Sequence, residues 1–143
     1  MKLNFKRLEN GLPLPSYGSE EASGMDIRAA EEGVVLSLSR AIIRTGFAVE
    51  IPKGYELQVR PRSGLAAKNG ITVLNSPGTI DSDYRGEIMV ILYNTTINDF
   101  VVSIGDRIAQ LVLAPVTRAD IQEVNELDKT ERGHGGFGST GRN

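Results

Sequence analysis

The sequence predicts an all-β domain, a sandwich or a barrel, with one short helix. Many short apolar runs follow one another at close spacing, separated by glycine or proline, and this pattern is typical of sandwiches and barrels. The stretch with convincing helical character is short, Pro61–Gly70. Because the chain has 143 residues and no internal repeat, we expect one domain with a substantial core.

The first half of the chain contains most of the strand candidates. Leu3–Leu8 begins with apolar–polar alternation and predicts the first strand, whereas Gly11–Gly18 is predicted to be irregular. Ala22–Ala29 groups small residues around one carboxylate, Asp26. Tyr55–Arg60 alternates cleanly and should have one buried face. Three further short strands are predicted at Val34–Leu38, Ala41–Arg44 and Phe47–Ile51.

The predicted helix is followed by a predicted hairpin. Ser63 is a suitable N-cap for the helix, and Gly70 can end it. The apolar runs Gly70–Leu74 and Ile88–Tyr93 then flank the connection Asn75–Glu87. Because this connection begins with the turn-forming sequence Ser-Pro-Gly, the two runs are predicted to pair as a hairpin.

The strands of the second half are strongly apolar. Ile88–Tyr93 is apolar on both faces, so we expect it to be covered by the chain's own core and by another subunit. Arg107–Leu113 is a similar strand, and it contains Gln110, whose amide should be buried and hydrogen-bonded. Ile121–Val124 is the candidate for a last short strand.

The end of the chain has a different composition. Five glycines within Arg132–Gly141 leave too little apolar surface to order the segment by itself. We therefore predict a β-barrel domain over residues 1–130 and a flexible glycine-rich arm over residues 131–143.

The composition excludes several kinds of site and partner. The chain has no cysteine, which excludes disulfides and cysteine-ligated metals, and its single histidine cannot build a zinc site or a catalytic triad. A net charge of −2 gives no electrostatic case for nucleic acid. No apolar run approaches the roughly 18 residues of a membrane span, and none suits a signal peptide. We expect a soluble, cytoplasmic protein with no membrane partner.

The connection Asn75–Glu87 is dense in functional groups. It contains two carboxylates, Asp81 and Asp83, and the phenol of Tyr84. Either carboxylate could act as a general base on water, because functional groups concentrate on loops that rigid strands hold. An ordinary acidic loop is the alternative.

Two further segments suit phosphate. Arg62, Ser63 and Gly64 combine a guanidinium, a hydroxyl and the free N–H groups of a helix start, although Ser63 could simply cap the helix. The glycine-rich arm resembles a phosphate-wrapping segment with one aromatic ring, Phe137, for stacking on a base, although a disordered terminus has the same composition.

Five motifs follow one another along the chain. They are Ala-x-Gly-x-Asp at 22–26, Pro-Arg-Ser-Gly-Leu-Ala at 61–66, Gly-Thr-Ile-Asp-x-Asp-Tyr-Arg-Gly-Glu-Ile at 78–88, Gly-Asp-Arg-Ile-Ala-Gln-Leu at 105–111 and Arg-Gly-x-Gly-Gly-Phe-Gly-Ser-Thr-Gly at 132–141. Their order resembles the homotrimeric dUTPase family over essentially the whole chain. The departures are slight: Ser23 and Ile27 stand where that family often has Ala and Leu.

The resemblance implies a jelly-roll-like β-barrel in a homotrimer, with active sites at the subunit boundaries and the arm closing over them. The implied reaction is hydrolysis of dUTP to dUMP and pyrophosphate by attack of water on the α-phosphorus. This reaction keeps uracil out of DNA and supplies dUMP for thymidylate synthesis. Mg²⁺ is the implied cofactor, held mainly by the triphosphate and, through water, by Asp26.

The resemblance also implies the roles of individual residues. Asp81, and not Asp83, matches the aspartate that activates water. Tyr84 matches the tyrosine that packs on the sugar, and Phe137 matches the aromatic residue that covers uracil. The other implied substrate-binding residues are Arg62, Ser63, Gly64, Asn75, Thr79, Ile80, Met89, Gln110, Arg132, Ser139 and Thr140.

Two other function classes stay open. The dCTP deaminases share the fold and a related substrate, but they are longer and lack the Gly-Gly-Phe-Gly-Ser-Thr tail. A nucleotide-binding or regulatory trimer without activity would keep the phosphate motifs but would not need Asp81.

Overall fold

The computed structural model describes residues 1–9 and 11–141. In this part of the chain, eleven strands and one helix follow one another as β1 Asn4–Arg7, β2 Ser16–Tyr17, β3 Met25–Arg28, β4 Gly33–Val35, β5 Arg40–Glu50, β6 Tyr55–Arg60, α1 Ser63–Asn69, β7 Ile71–Val73, β8 Gly78–Ile80, β9 Glu87–Asn94, β10 Phe100–Val102 and β11 Arg107–Pro115. The predicted all-β class with one short helix is confirmed.

Two antiparallel sheets enclose the core of this jelly-roll-like barrel. One sheet has the strand order β1-β5-β9-β7 and the other β2-β3-β11-β6-β8, while β4 and β10 form a separate pair. Apolar side chains from both sheets form one buried cluster, in which Leu57 and Leu111 of one sheet meet Ile88 and Leu92 of the other. Each of these four side chains is at most 1% exposed. The shared core fixes the two sheets against each other.

Strand β5 corrects the prediction of two separate strands, Ala41–Arg44 and Phe47–Ile51. Gly46, between them, adopts a φ of +74°, and the register of β5 against β9 shifts between Arg44 and Ala48. Gly46 therefore marks a bulge, at which the strand bends and continues, and not a turn that ends it.

The connection between β7 and β9 is more elaborate than the predicted hairpin. The two strands do pair antiparallel, with Ile71 opposite Asn94. The connection between them, however, contains β8, which joins the other sheet and pairs with β6, Ile80 lying opposite Leu57. Because Ile80 is buried, part of the predicted loop belongs to the core.

Helix α1 lies where the sequence places it, but its cap differs. The N-cap is Arg62, in an extended conformation, and no side chain caps the helix, so Ser63 is its first residue. Gly70 ends the helix in the left-handed conformation, with a φ of +65°, as predicted.

Several short elements escaped prediction. Strands β3 and β10 pair with strands distant in sequence, β11 and β4 respectively. Strand β2 pairs with β3 and lies within the stretch predicted to be irregular. Strand β4 ends at Val35, three residues before the predicted end. The predicted strand Ile121–Val124 is wrong: the segment is irregular and Ile121 is 97% exposed.

Strand β9 is covered on one face only within a single chain. Its side chains alternate, so that Ile88, Val90 and Leu92 are buried while Met89 is 49% exposed. Ile42, on the neighbouring strand, is 58% exposed and lies opposite Ile91. Cover of this outer face by another subunit stays a prediction.

The remaining predictions of domain organisation concern the ends of the fold. The last strand ends at Pro115, and the boundary between barrel and arm at residue 131 stays a prediction. The last two residues of the predicted arm, Arg142 and Asn143, lie outside the described residues. Within residues 1–9 and 11–141, no helix has the length and hydrophobicity that a membrane crossing requires.

Candidate active site

One group of polar side chains lies in a row across the sheet that contains β11. Gln110 on β11 is paired with Asp26 on one side and with Arg60 on the other. These strands are adjacent, so their side chains on the same face are close neighbours. Gln110 is only half-buried, which corrects the prediction of a buried amide: it faces outward, away from the core.

Asp26 lies between two guanidinium groups. Its Oδ1 is 3.3 Å from Nε of Arg62, and its Oδ2 accepts a hydrogen bond of 3.3 Å from Nη1 of Arg107. The Asp26 side chain is 16% exposed. Its Oδ1 is nevertheless buried without a hydrogen-bond partner, as is Nε of Arg62, so this pair retains unused polar capacity.

The space beside this ion pair is strongly basic. A cavity of about 400 Å³ is lined by Arg28, Arg62 and Arg107 among other residues. Ser63 and Gly64 are exposed, and a Cβ atom placed on Gly64 would meet no atom within 4 Å. Arg62 therefore lines open space together with two other guanidinium groups and one carboxylate, Asp106, and this excess of positive charge suits a polyanion. We call Asp26, Arg62, Ser63, Gly64 and Gln110 the Arg62 cluster.

Gly24 lies beside this cluster, and the sequence analysis did not identify it as a site residue. A Cβ atom on Gly24 would lie 3.1 Å from Cβ and 3.2 Å from Oε1 of Gln110. The absence of a side chain here gives the amide its room. The signal was present in the first motif, where Gly24 comes two residues before Asp26.

A second group of predicted residues surrounds a cavity of about 280 Å³. Thr79, Ile80, Asp81, Tyr84 and Met89 all line it, together with Ile42, Glu87, Ile88 and Ile91. We call it the hairpin cavity. It combines an apolar wall with two carboxylates, Asp81 and Glu87, which is the make-up of a small-molecule site.

Asp81 and Asp83 have different surroundings. Both carboxylates are exposed and face a second depression, which Lys53 and Arg118 also line. Asp81 alone of the two also lines the hairpin cavity. Asn75 does not line that cavity; its Nδ2 atom is 3.3 Å from a Cβ placed on Gly78, the residue before Thr79.

Tyr84 is held against the chain that follows it. Its hydroxyl donates a hydrogen bond of 3.1 Å to the carbonyl of Glu87, and its ring lies over Gly86. The carboxylate of Glu87 accepts hydrogen bonds from Nε of Arg44 at 3.1 Å and from the backbone N–H of Gly46 at 2.9 Å. The candidate site residues predicted from the sequence did not include Gly86, Glu87 or Arg44.

Arg44 links this structure to the N-terminal segment. Its Nη2 atom donates a hydrogen bond of 2.8 Å to Glu9. Hydrogen bonds to Glu87 and then to Glu9 raise the pKa of Arg44 above its ordinary value. The guanidinium thus ties the start of β9 to the bulge of β5.

The arm extends away from both groups. Phe137 is fully exposed, and Arg132 donates a hydrogen bond of 2.8 Å to the carbonyl of Gly135 within the arm itself. Ser139 and Thr140 are exposed as well. The structure of one chain therefore does not bring the arm residues to the hairpin cavity.

The Arg62 cluster and the hairpin cavity are also separate within one chain. Asp26 is on β3, whereas Asp81 directly follows β8, which is three strands away from β3 in the same sheet. Gly78 of β8 lies opposite Val59, one residue before Arg60. Strands are about 4.8 Å apart and rise about 3.3 Å per residue, so Asp81 and Asp26 are roughly 15–20 Å apart.

Comparisons with known proteins agree with one another. The sequence model of one protein family, described as dUTPase, matches residues 10–141. The chain is 57% identical to the deoxyuridine 5'-triphosphate nucleotidohydrolase of Zymomonas mobilis over 99% of its length and 98% of that protein's. It is 59% identical to the protein of the same name from Rhizobium johnstonii, covering 97% of this chain and 93% of that one.

Solved structures match the fold as well. A variant of the Staphylococcus bacteriophage 80alpha dUTPase with dUpNHpp superposes with a TM-score of 0.89 at 27% identity, covering 98% of each chain. The same phage enzyme with dUpNHpp, at 29% identity, superposes with a TM-score of 0.87 and the same coverage.

Proposed function

Since this chain belongs to the dUTPase family of enzymes, we propose that it hydrolyses dUTP to dUMP and pyrophosphate with Asp81 as the general base. The observation that carries the proposal is the hairpin cavity, in which Asp81 lies beside Thr79, Ile80, Tyr84 and Met89. A carboxylate at the mouth of a half-apolar cavity can receive a proton from a water held between it and a bound substrate.

In the proposed reaction, the water oxygen bonds to the α-phosphorus while the bond from that phosphorus to the bridging oxygen breaks. The water proton passes to Asp81, and pyrophosphate leaves with the electron pair of the broken bond. Because the protein has little covalent chemistry to perform in this step, most of the rate enhancement comes from positioning the reactants and neutralising their charge. Asp83 takes no part, since it lies outside the hairpin cavity.

The Arg62 cluster and the arm bind the triphosphate. Arg62 supplies a guanidinium, Ser63 a hydroxyl and Gly64 an open backbone. Gln110 contributes its outward-facing amide. The arm adds Arg132, Ser139 and Thr140 when it closes, and closure also excludes water.

The residues present fit Mg²⁺ as the cofactor. Asp26 offers a mostly buried carboxylate whose Oδ1 has no hydrogen-bond partner, and oxygen is the ligand that Mg²⁺ prefers. Among the described residues no cluster of three or more acidic, histidine or cysteine side chains could hold a metal, which suits an ion carried mainly by the triphosphate. When bound, Mg²⁺ neutralises charge on the triphosphate. Asp26 contributes by holding that assembly through water.

Substrate choice is proposed to reside in the hairpin cavity. The backbone at Thr79 and Ile80, together with Asn75, reads the hydrogen-bonding edge of uracil, and Phe137 stacks on the base. A site built for particular hydrogen bonds rejects a mismatched base, because its own polar groups are then left unpaired. The extra methyl group of thymine is rejected by lack of room, and a ribose hydroxyl by the ring of Tyr84.

The separation of the two groups supports a homotrimer with shared active sites. A single nucleotide cannot contact both the Asp81 and the Asp26 of one chain in a productive pose when they lie roughly 15–20 Å apart on a sheet. On the outer face of the sheet, the exposed Met89 and Ile42 and the half-buried Ile91 offer an apolar surface for another copy. Each site then takes its hairpin cavity from one subunit and its Arg62 cluster from another.

The test is pyrophosphate release from dUTP, dTTP, dCTP and UTP measured in parallel. We expect strong preference for dUTP. Conversion of dCTP to dUTP would indicate a deaminase instead. Tight binding of dUTP without pyrophosphate release would indicate a non-catalytic nucleotide-binding protein.

A further inference from the structure

We propose that Gly86 is a specificity-determining residue: its missing side chain lets the ring of Tyr84 fold back and stand as the wall that excludes a 2'-hydroxyl. The inference deepens the proposed function and rests on it. Gly86 itself does not contact the nucleotide. It acts through the position of the tyrosine ring.

The first observation is steric. A Cβ atom placed on Gly86 would lie 2.3 Å from the hydroxyl oxygen, 2.5 Å from Cζ and 2.9 Å from Cε2 of Tyr84. Non-bonded carbon atoms pack at about 3.5–4.0 Å, so the ring and any side chain at residue 86 cannot coexist in these positions. The ring occupies the space that a side chain would take.

The second observation concerns the backbone. Gly86 does not adopt a positive φ, unlike Gly46 and Gly70. An alanine would therefore not meet the left-handed backbone conformation that L side chains disfavour. The requirement for glycine at this position comes from the neighbouring ring.

The third observation is that the far end of the ring is anchored to a rigid acceptor. The Tyr84 hydroxyl donates to the carbonyl of Glu87, the first residue of β9. The Glu87 side chain is only 16% exposed, and Arg44 and the backbone of Gly46 hold its carboxylate. The ring is thus fixed at one end by an anchored hydrogen bond and along one side by contact with Gly86.

This placement matters because the two sugars differ by one oxygen atom. A wall can exclude that atom only when it stands in van der Waals contact with the deoxyribose, and functional geometry must be held to within about 0.5 Å. A methyl group at residue 86 would displace the ring by an ångström or more from the position in which it lines the hairpin cavity, so the wall is no longer held against the sugar. Such displacements can change rates by about 100-fold.

The experiment compares kcat/KM for dUTP and UTP in the wild type and Gly86→Ala. We expect the dUTP/UTP ratio to fall by about tenfold or more in Gly86→Ala, because UTP gains access while dUTP loses its close contact. Gly18→Ala is the matched control. A Cβ atom on Gly18 would meet nothing within 4 Å, and Gly18 has no positive φ, so its ratio should equal that of the wild type.

A double-mutant cycle separates the ring from the backbone. In a Tyr84→Ala background, Gly86→Ala should change the ratio no further, because the ring through which it acts is gone. Melting temperature and sedimentation of each variant report whether it is folded and assembled. If Gly86→Ala does not fold, adding Tyr84→Ala should restore folding by removing the clash. A double variant that also fails to fold would contradict the proposal.

The outcomes distinguish this inference from the proposed function. An unchanged dUTP/UTP ratio in folded Gly86→Ala overturns the role of Gly86 while leaving dUTP hydrolysis intact. A ratio that falls equally with and without the ring of Tyr84 also overturns it. A wild-type protein that releases no pyrophosphate from dUTP overturns the proposed function itself.

Discussion

Two inactive variants of this chain should restore activity to each other if each site draws its groups from two subunits. Asp81→Asn removes the proposed base and should lower turnover by about 10²–10⁴-fold. Arg62→Ala removes a charge-assisted hydrogen bond of about 1.5–3 kcal/mol, equivalent to about 10–150-fold. Arg62 pairs with Asp26, which is roughly 15–20 Å from Asp81, so neither substitution should disturb the other's surroundings.

The size of the recovery follows from the symmetry. In a 1:1 mixture that assembles at random, a site is intact when its hairpin cavity comes from an Arg62→Ala subunit and its Arg62 cluster from an Asp81→Asn subunit. Each condition is met by half of the subunits, so about one quarter of the sites are intact. The mixture should therefore reach about a quarter of the wild-type rate.

The assay is pyrophosphate release after the two variants are unfolded together and refolded, with sedimentation to verify assembly. Asp81→Asn mixed with Tyr84→Ala is the matched control. Both of these substitutions lie in the hairpin cavity, so every site inherits one of them and no recovery is expected. If the first mixture assembles but stays at the mean of its parents, each site is complete within one chain and the trimer argument is wrong.

Two further predictions concern the base and the arm. Asp81→Asn should lose turnover yet bind a non-hydrolysable dUTP analogue normally by calorimetry, whereas Asp83→Asn should keep near-wild-type turnover; the reverse pattern would contradict the assignment. Deleting residues 131–143 should leave the melting temperature and assembly unchanged but greatly reduce pyrophosphate release, because the arm adds almost no apolar core and yet covers the nucleotide. Phe137→Ala should show a milder loss, and a fully active truncated protein would mean that the arm has no role in catalysis.

The parts of the fold that the sequence predicts well are those with a strong local pattern. Strand β6 has the predicted bounds because Tyr55–Arg60 alternates without interruption. The end of α1 at Gly70 was predictable because a left-handed cap favours glycine. By contrast, the sequence predicts two strands where β5 is continuous, because a glycine between apolar runs suits a break as well as a bulge, and only the pairing of β5 with β9 distinguishes them.

The site was predictable in its residues and less so in its arrangement. Motif order indicated Asp26, Arg62 and Asp81. The contact of Asp26 with Arg107, however, depends on the pairing of β3 with β11, which joins residues about eighty positions apart. The roles of Gly86 and Arg44 were unpredictable for the same reason, because the sequence does not show which ring a glycine will contact or which carboxylate an arginine will bind.

The outer face of β9 has a consequence for how affinity is measured. Met89 and Ile91 line the hairpin cavity and also belong to the exposed apolar face through which another copy is proposed to associate. Anything that binds the assembled form in preference to the separate chains shifts the association equilibrium by mass action, and the linkage is reciprocal. Nucleotide should therefore oppose dissociation on dilution, and dilution should weaken nucleotide binding. The apparent dissociation constant becomes a function of protein concentration, and a substitution at Met89 alters both equilibria at once.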